Sequence, residues 1–140
     1  MSEKTVQATP AVAASQASWR CVQARDRDGW LALMADDVVV EDPIGEAVTN
    51  PDGRGVRGKA GVGEFFASLG AIEMHDFQVH NFLGGGNQVV ASITIELTVK
   101  ATGKRLRDEE LHLWTFDDAG KVIAMRHYVD TAKHLRANTP

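Results

Sequence analysis

Apolar positions follow two rhythms along this chain. Up to about residue 70 they recur at helical spacing, and beyond it they alternate. From Ala11 to Arg25, the residues Val12, Ser15, Trp19 and Val22 share one helical face. Pro10 suits a first helical turn. Asp26-Arg27-Asp28-Gly29 breaks the pattern, and Asp26 or Asp28 can cap a second helix carrying Trp30, Leu31, Leu33 and Met34. That helix is expected to end at Ala35-Asp36-Asp37, with a strand following over residues 37–42 through Val38-Val39-Val40. Residues 43–58 hold Pro43, Pro51 and several glycines, with a turn signal at Asn50-Pro51-Asp52-Gly53. They read as a long surface loop with room for a short strand, placed to form a rim or lid. A third helix carries Val62, Phe65, Phe66 and Leu69 on one face and stops near Gly70.

Strand-like segments then follow at about 72–83, 87–100, 106–117 and 121–130. Gly84-Gly85-Gly86-Asn87, Thr102-Gly103 and Asp117-Asp118-Ala119-Gly120 separate them. The pattern predicts an α+β fold: three N-terminal helices packed on a curved, mostly antiparallel sheet that encloses an apolar pocket.

Composition narrows the function classes. A chain of 140 residues suits one domain with a real core. Net charge is −4, and no basic patch is concentrated enough to suggest nucleic acid. Charge at 104–110 is mixed and reads as a solvated strand end. No run reaches membrane-spanning length, so no membrane partner is expected. Met1 to Thr9 is polar and lacks the apolar segment of a signal peptide, which points to the cytoplasm. The single cysteine, Cys21, cannot form an internal disulfide and sits in a helical stretch as a buried thiol. The histidines His75, His80, His112, His127 and His134 form no close pair on a helix, so no metal is expected. No phosphate loop or dinucleotide fingerprint is present, and no cofactor is expected.

The candidate chemistry centres on Asp42. Proline fixes its own φ and pushes the preceding residue toward an extended conformation, so Asp42 sits on stiff backbone at the end of an apolar strand. A carboxylate held there can act as a general base, although an acidic residue closing a strand is also common. His112 alternates with Trp114 and Phe116 and shares their face with Glu110, which can orient its ring. Met125, His127 and Val129 share a face of the last strand, and His127 can pair with His112 near Asp42. Both histidines also have a plain reading as hydrogen-bonded core residues. Trp19, Val22, Trp30, Met34, Phe65, Phe66, Trp114, Phe116 and Met125 read singly as core. Together they suit a flat apolar ligand such as a steroid, terpenoid or polyketide.

Three stretches carry a resemblance to a known family: Asp28-Gly29-Trp30 through Asp36-Asp37, Val40-Glu41-Asp42-Pro43-Ile44-Gly45, and Ala119 to Arg126. They resemble the ketosteroid-isomerase and SnoaL-like (polyketide-cyclase-like) branch of the cone-shaped nuclear-transport-factor-2-like superfamily. The resemblance implies one domain over residues 11–135, with tails at 1–10 and 136–140. It implies a steroid Δ5-3-ketoisomerase-like reaction, in which a carboxylate moves a proton between allylic carbons through a dienolate. Carried over by position, the base falls on Asp42, the donor tyrosine on Ser18 and the neutral aspartic donor on His112. Ser18 would reach an oxyanion only through a water, and His112 would serve as the replacement donor. Trp19, Trp30, Met34, Phe65, Phe66, Trp114, Phe116, Met125, His127 and Val129 would contact substrate. Related epoxide hydrolases place an acidic residue where this chain has His127. A binding protein without turnover, or a cyclase or hydrolase for another apolar substrate, is the alternative. A protein-interaction module using the outer sheet face is another, and homodimerisation is expected by family analogy.

Overall fold

Backbone pairing, more than local helical preference, divides the N-terminal half. The computed structural model describes residues 10–140; of the tail expected over 1–10, residues 1–9 lie outside the described residues and Pro10 belongs to the first helix. Helix α1 (Pro10–Ala24) is followed by α2 (Arg27–Leu31), which Asp26 caps by accepting a hydrogen bond from the Gly29 amide. Met34 was expected on this helix. Instead it opens strand β1 (Met34–Glu41), because it pairs with Val122 and the Leu33 carbonyl accepts from the Val122 amide at 2.9 Å. Strand pairing thus claims backbone that the apolar spacing assigned to a helix.

The remaining elements are β2 (Val56–Arg57), α3 (Gly58–Ser68) with a 3-10 turn over Leu69–Ala71, β3 (Ile72–Gly85), β4 (Gln88–Val99), β5 (Lys104–Phe116), β6 (Val122–Tyr128) and α4 (Thr131–Asn138). The six strands form one sheet in the order β2-β1-β6-β5-β4-β3. Only β1 and β6 run parallel; the other neighbours are antiparallel. The expected α+β sheet is therefore present. The expected three N-terminal helices are corrected in arrangement: β1 and β2 separate α2 from α3, α2 is one short turn, and a fourth helix follows the sheet.

Inward residues of β1, β4, β5 and β6 form the core with α1, α2 and α3. Val38, Val40, Ile93, Trp114, Phe116, Val122 and Met125 are all buried. Trp19 packs on Trp114 with ring centroids 5.0 Å apart, and Trp30 lies 5.0 Å from Phe66 and 6.3 Å from Phe65. Residues 136–138, expected in a tail, complete the last turn of α4, where Ala137 is buried. Val129, expected on the last strand, lies one residue beyond β6 and is half-buried.

The 43–58 loop is fastened rather than free. Buried Asn50 donates to the Pro43 carbonyl at 2.9 Å and accepts from the Gly55 amide at 2.8 Å. Thr49 donates to the Asp42 carbonyl, and the Ile44 amide donates to the His127 carbonyl at 3.1 Å. Gly55 has φ +83°, and a Cβ there would lie 2.9 Å from Val39 and Glu41 side-chain carbons. The loop thus holds the backbone on both sides of the cis Asp42–Pro43 bond.

Candidate functional site

The antiparallel register of β5 and β6 sets His112 directly opposite His127. Both side chains point to the core face, and their rings stack with centroids 3.5 Å apart and planes within 3°. Each ring is anchored by its own carboxylate. His127 Nδ1 lies 3.0 Å from Asp42 Oδ2, and His112 Nε2 lies 2.8 Å from Glu110 Oε1. Asp42 reaches His127 because β1 and β6 are parallel neighbours, so the end of β1 lies beside the end of β6. Asp42, Glu110, His112 and His127, all proposed from the sequence, are brought together.

The second nitrogen of each ring is left over. His112 Nδ1 and His127 Nε2 are buried with no hydrogen-bond partner, as are the indole nitrogens of Trp19 and Trp114. A buried polar atom without a partner is costly, by about 1–3 kcal/mol. Trp114 lies two residues along β5 from His112, on the same face, and faces Met125 across the sheet. Apolar side chains and unpaired polar atoms therefore lie side by side in this part of the core.

Two like rings in contact resist carrying two positive charges. Burial opposes charge on His127, but the Asp42 carboxylate outweighs it through charge and hydrogen bond and raises the pKa. For His112, burial and the charge on His127 together outweigh Glu110 and lower the pKa. Glu110 is pushed upward by burial, yet the hydrogen bonds from His112 and His134 bring its pKa below the usual carboxylate range. The protonation pattern that follows is specific. Glu110 is ionised and accepts from His112 Nε2–H, so His112 Nδ1 carries a lone pair. Below its raised pKa His127 is an imidazolium, and its Nε2–H is then a donor. The sequence assigned the replacement donor to His112; in its charged form His127 also has a buried N–H, at Nε2.

Ser18 does not join this group. Its buried oxygen accepts a hydrogen bond from the Trp30 indole at 2.9 Å, tying α1 to α2. Trp30, Phe65 and Phe66 form their own aromatic cluster at the α2–α3 contact. One functional-looking residue escaped the sequence reading: His134 on α4, whose Nε2 lies 2.8 Å from Asp108 Oδ2 and 3.4 Å from Glu110 Oε2. The available signal was Asp130, which caps α4 by accepting from the Lys133 amide.

Glu110, His112 and His127 offer potential ligand atoms within 4.8 Å of one another, as do Asp108, Glu110 and His134. In the first set the parallel rings direct their in-plane lone pairs side by side. A metal centre needs lone pairs that converge on one point, so the geometry suits hydrogen bonding better. In the second set, the Lys133 ammonium lies 3.9 Å from Asp108 and competes with a cation.

Comparison with known proteins places these features. The family described as SnoaL-like domain matches residues 16–125. A Δ5-3-ketosteroid isomerase from Mycobacterium sp. is 43% identical, with a TM-score of 0.79, over 89% of this chain and 96% of that one. RV0760c from Mycobacterium tuberculosis, in complex with estradiol-17beta-hemisuccinate, is 39% identical with a TM-score of 0.81, over 89% and 97% of the two chains. A computationally designed 17-OHP binder is 36% identical with a TM-score of 0.80, over 89% and 96%. The resemblance legible in the Val40 to Gly45 stretch thus extends over almost the whole described fold, and the chain belongs to the SnoaL-like domain family of the nuclear-transport-factor-2-like superfamily.

Proposed function

We propose that this protein is a cofactor-independent, steroid Δ5-3-ketoisomerase-like enzyme that moves a double bond in an apolar ketone, with Asp42 as the base. The observation that carries the reading is the Asp42–His127 pair. One carboxylate oxygen, Oδ2, holds the imidazole at 3.0 Å, while Oδ1 has no hydrogen-bond partner among the described residues. Oδ1 takes a proton from the carbon next to the carbonyl. Electron density shifts to the carbonyl oxygen, which His127 Nε2–H stabilises by a charge-assisted hydrogen bond. The protonated Asp42 then returns the proton one allylic position away, and the carbonyl re-forms. Trp19, Trp114, Phe116 and Met125 supply the apolar wall, and the unpaired indole N–H groups offer further donors to ligand oxygens.

Similarity to a ketosteroid isomerase and to a protein crystallised with an estradiol derivative supports a flat, oxygenated apolar substrate. The binding-only alternative draws on Ser18, because the position matching the donor tyrosine carries a hydroxyl already engaged by Trp30. Cytoplasmic location and a homodimer belong to this proposal too; no described helix is long and apolar enough to cross a membrane. The test is a spectrophotometric assay of a Δ5-3-keto steroid, following the conjugated Δ4-enone, with Asp42→Asn alongside. Turnover lost in the variant supports the reading. Saturable steroid binding without turnover replaces it with the binding alternative, and neither binding nor turnover removes the steroid from consideration.

A further inference from the structure

The stacked pair is linked to a second buried cluster, which α4 completes. Asp108 and Glu110 occupy successive inward positions on β5 and are 2% and 6% exposed. Two neighbouring buried carboxylates repel each other, and burial alone disfavours charge on either. His134 Nε2 is the group placed against both, 2.8 Å from Asp108 and 3.4 Å from Glu110. Asp108 also accepts from the Asp130 amide at 3.3 Å and faces the Lys133 ammonium at 3.9 Å. Glu110 has no lysine or arginine within salt-bridge distance among the described residues; its partners are His134 on one oxygen and His112 on the other.

We propose that His134 is a positioning residue for His112: through Glu110 it fixes the imidazole in its Nε2–H form, so that the buried Nδ1 presents a lone pair to the bound molecule. The inference rests on the reading above that the free ring nitrogens face a ligand. A neutral imidazole has two tautomers, and the partner of one nitrogen decides which is present. Ionised Glu110 only accepts, which forces the proton onto His112 Nε2. A protonated Glu110 would donate to Nε2 and move the ring proton to Nδ1, turning the free nitrogen from acceptor to donor.

His134 prevents that exchange. Burial opposes its charge, but Glu110 and Asp108 outweigh burial and raise its pKa, which favours the imidazolium. With the cation removed, Glu110 lies beside Asp108 with only neutral His112 as a donor, and it takes up a proton at a higher pH. His112 is then no longer held in one tautomer. The helix matters through this charge as well as through the surface that it covers.

The experiment is ring-nitrogen NMR of the full chain with labelled histidine, titrated from pH 9 to pH 5, on the wild type, His134→Gln and His134→Lys. Loss of its signals in His112→Asn assigns the ring. The expected wild-type result is a bare Nδ1 and a protonated Nε2 wherever the His112 ring is neutral. In His134→Gln this signature should give way within the range, as Glu110, still buried beside Asp108 but without its imidazolium partner, takes up a proton above pH 5. His134→Lys restores a cation and should recover the wild-type signature. A protonated Nδ1 in the neutral wild-type ring overturns the proposal, whether or not His134→Gln folds. So does a folded His134→Gln with the wild-type titration, or a folded His134→Lys that fails to recover it. The readout needs no turnover: a wild type inactive on the steroid removes the isomerase reading and leaves the tautomer result standing. Active enzyme with a His134-independent tautomer does the reverse.

Discussion

Asp42→Asn separates the two jobs assigned to that carboxylate. The substitution keeps the size and leaves a carbonyl oxygen that can still accept from His127 Nδ1. It removes both the base and the negative charge. Loss of a positioned general base costs about 10²–10⁴ in rate. Stability changes for a different reason. A hydrogen bond to a charged group contributes about 1.5–3 kcal/mol, against about 0.5–1.5 kcal/mol for a neutral one. The Asp42 side chain is 27% exposed, so water screens part of the difference and the low end, about 1 kcal/mol, applies.

The sign of the pH dependence follows from His127. Its folded-state pKa is raised above the unfolded value of about 6.5, despite burial, because of Asp42. The pair's contribution is therefore fully present below about pH 6.5 and is lost as pH rises through the folded-state pKa. Thermal melts of wild type and Asp42→Asn at pH 6 should differ by about 3–5 °C, and the gap should shrink at pH 9. Enone formation should fall at both pH values. A gap that is constant or larger at pH 9 refutes the charged pair, and undiminished turnover refutes the base.

Ser18→Tyr, which restores the phenol of the isomerase pattern, should destabilise by about 1–3 kcal/mol, because the position is 1% exposed and its oxygen already serves Trp30. A lower Tm without faster isomerisation is expected, and a variant of unchanged Tm with faster turnover would reverse that expectation. Asn50→Ala strips partners from the Pro43 carbonyl and the Gly55 amide and should cost about 2 kcal/mol in denaturant unfolding. Loosening the backbone after Asp42 should also lower turnover more than ligand affinity. Gly55→Ala should lower Tm too, since L-residues at such φ cost about 1–2 kcal/mol before the contact with Val39 and Glu41 is counted; an unchanged melt would contradict it.

Much of the architecture was legible because its two periodicities differ. The segment from Gln88 to Val99 alternates too cleanly to be helical, and Glu110, His112, Trp114 and Phe116 share a face in any regular strand. Asp42 was legible from its place before Pro43. The stacking of His112 on His127 was not, since it depends on the register of β5 against β6, and a shift of one residue would turn one ring outward. Met34 was assigned to a helix because its distant partner, Val122, is invisible to local spacing. Helix α4 was missed because it is short and mostly exposed, with Ala137 its only buried residue, so it offers little apolar periodicity. That miss concealed His134.

The two stacked histidines show why listing residue types does not define this site. Both rings are buried, both have a carboxylate partner, and they face each other across one strand pair. They nevertheless hold protons differently. Asp42 bonds to a single imidazole, whereas Glu110 is shared between His112 and His134 and lies beside Asp108. Of two rings too close to be charged together, His112 has its pKa lowered by burial and by the charge on His127, and His127 has its pKa raised by Asp42 against burial. Where His127 is charged and His112 neutral, the pair presents one buried donor, His127 Nε2–H, beside one buried acceptor, His112 Nδ1. In the isomerase pattern a tyrosine and a neutral aspartic acid supply two donors, and those positions here carry Ser18 and His112. How the two carboxylates are shared, including the one beside α4, thus decides which polar atoms the stacked pair leaves free.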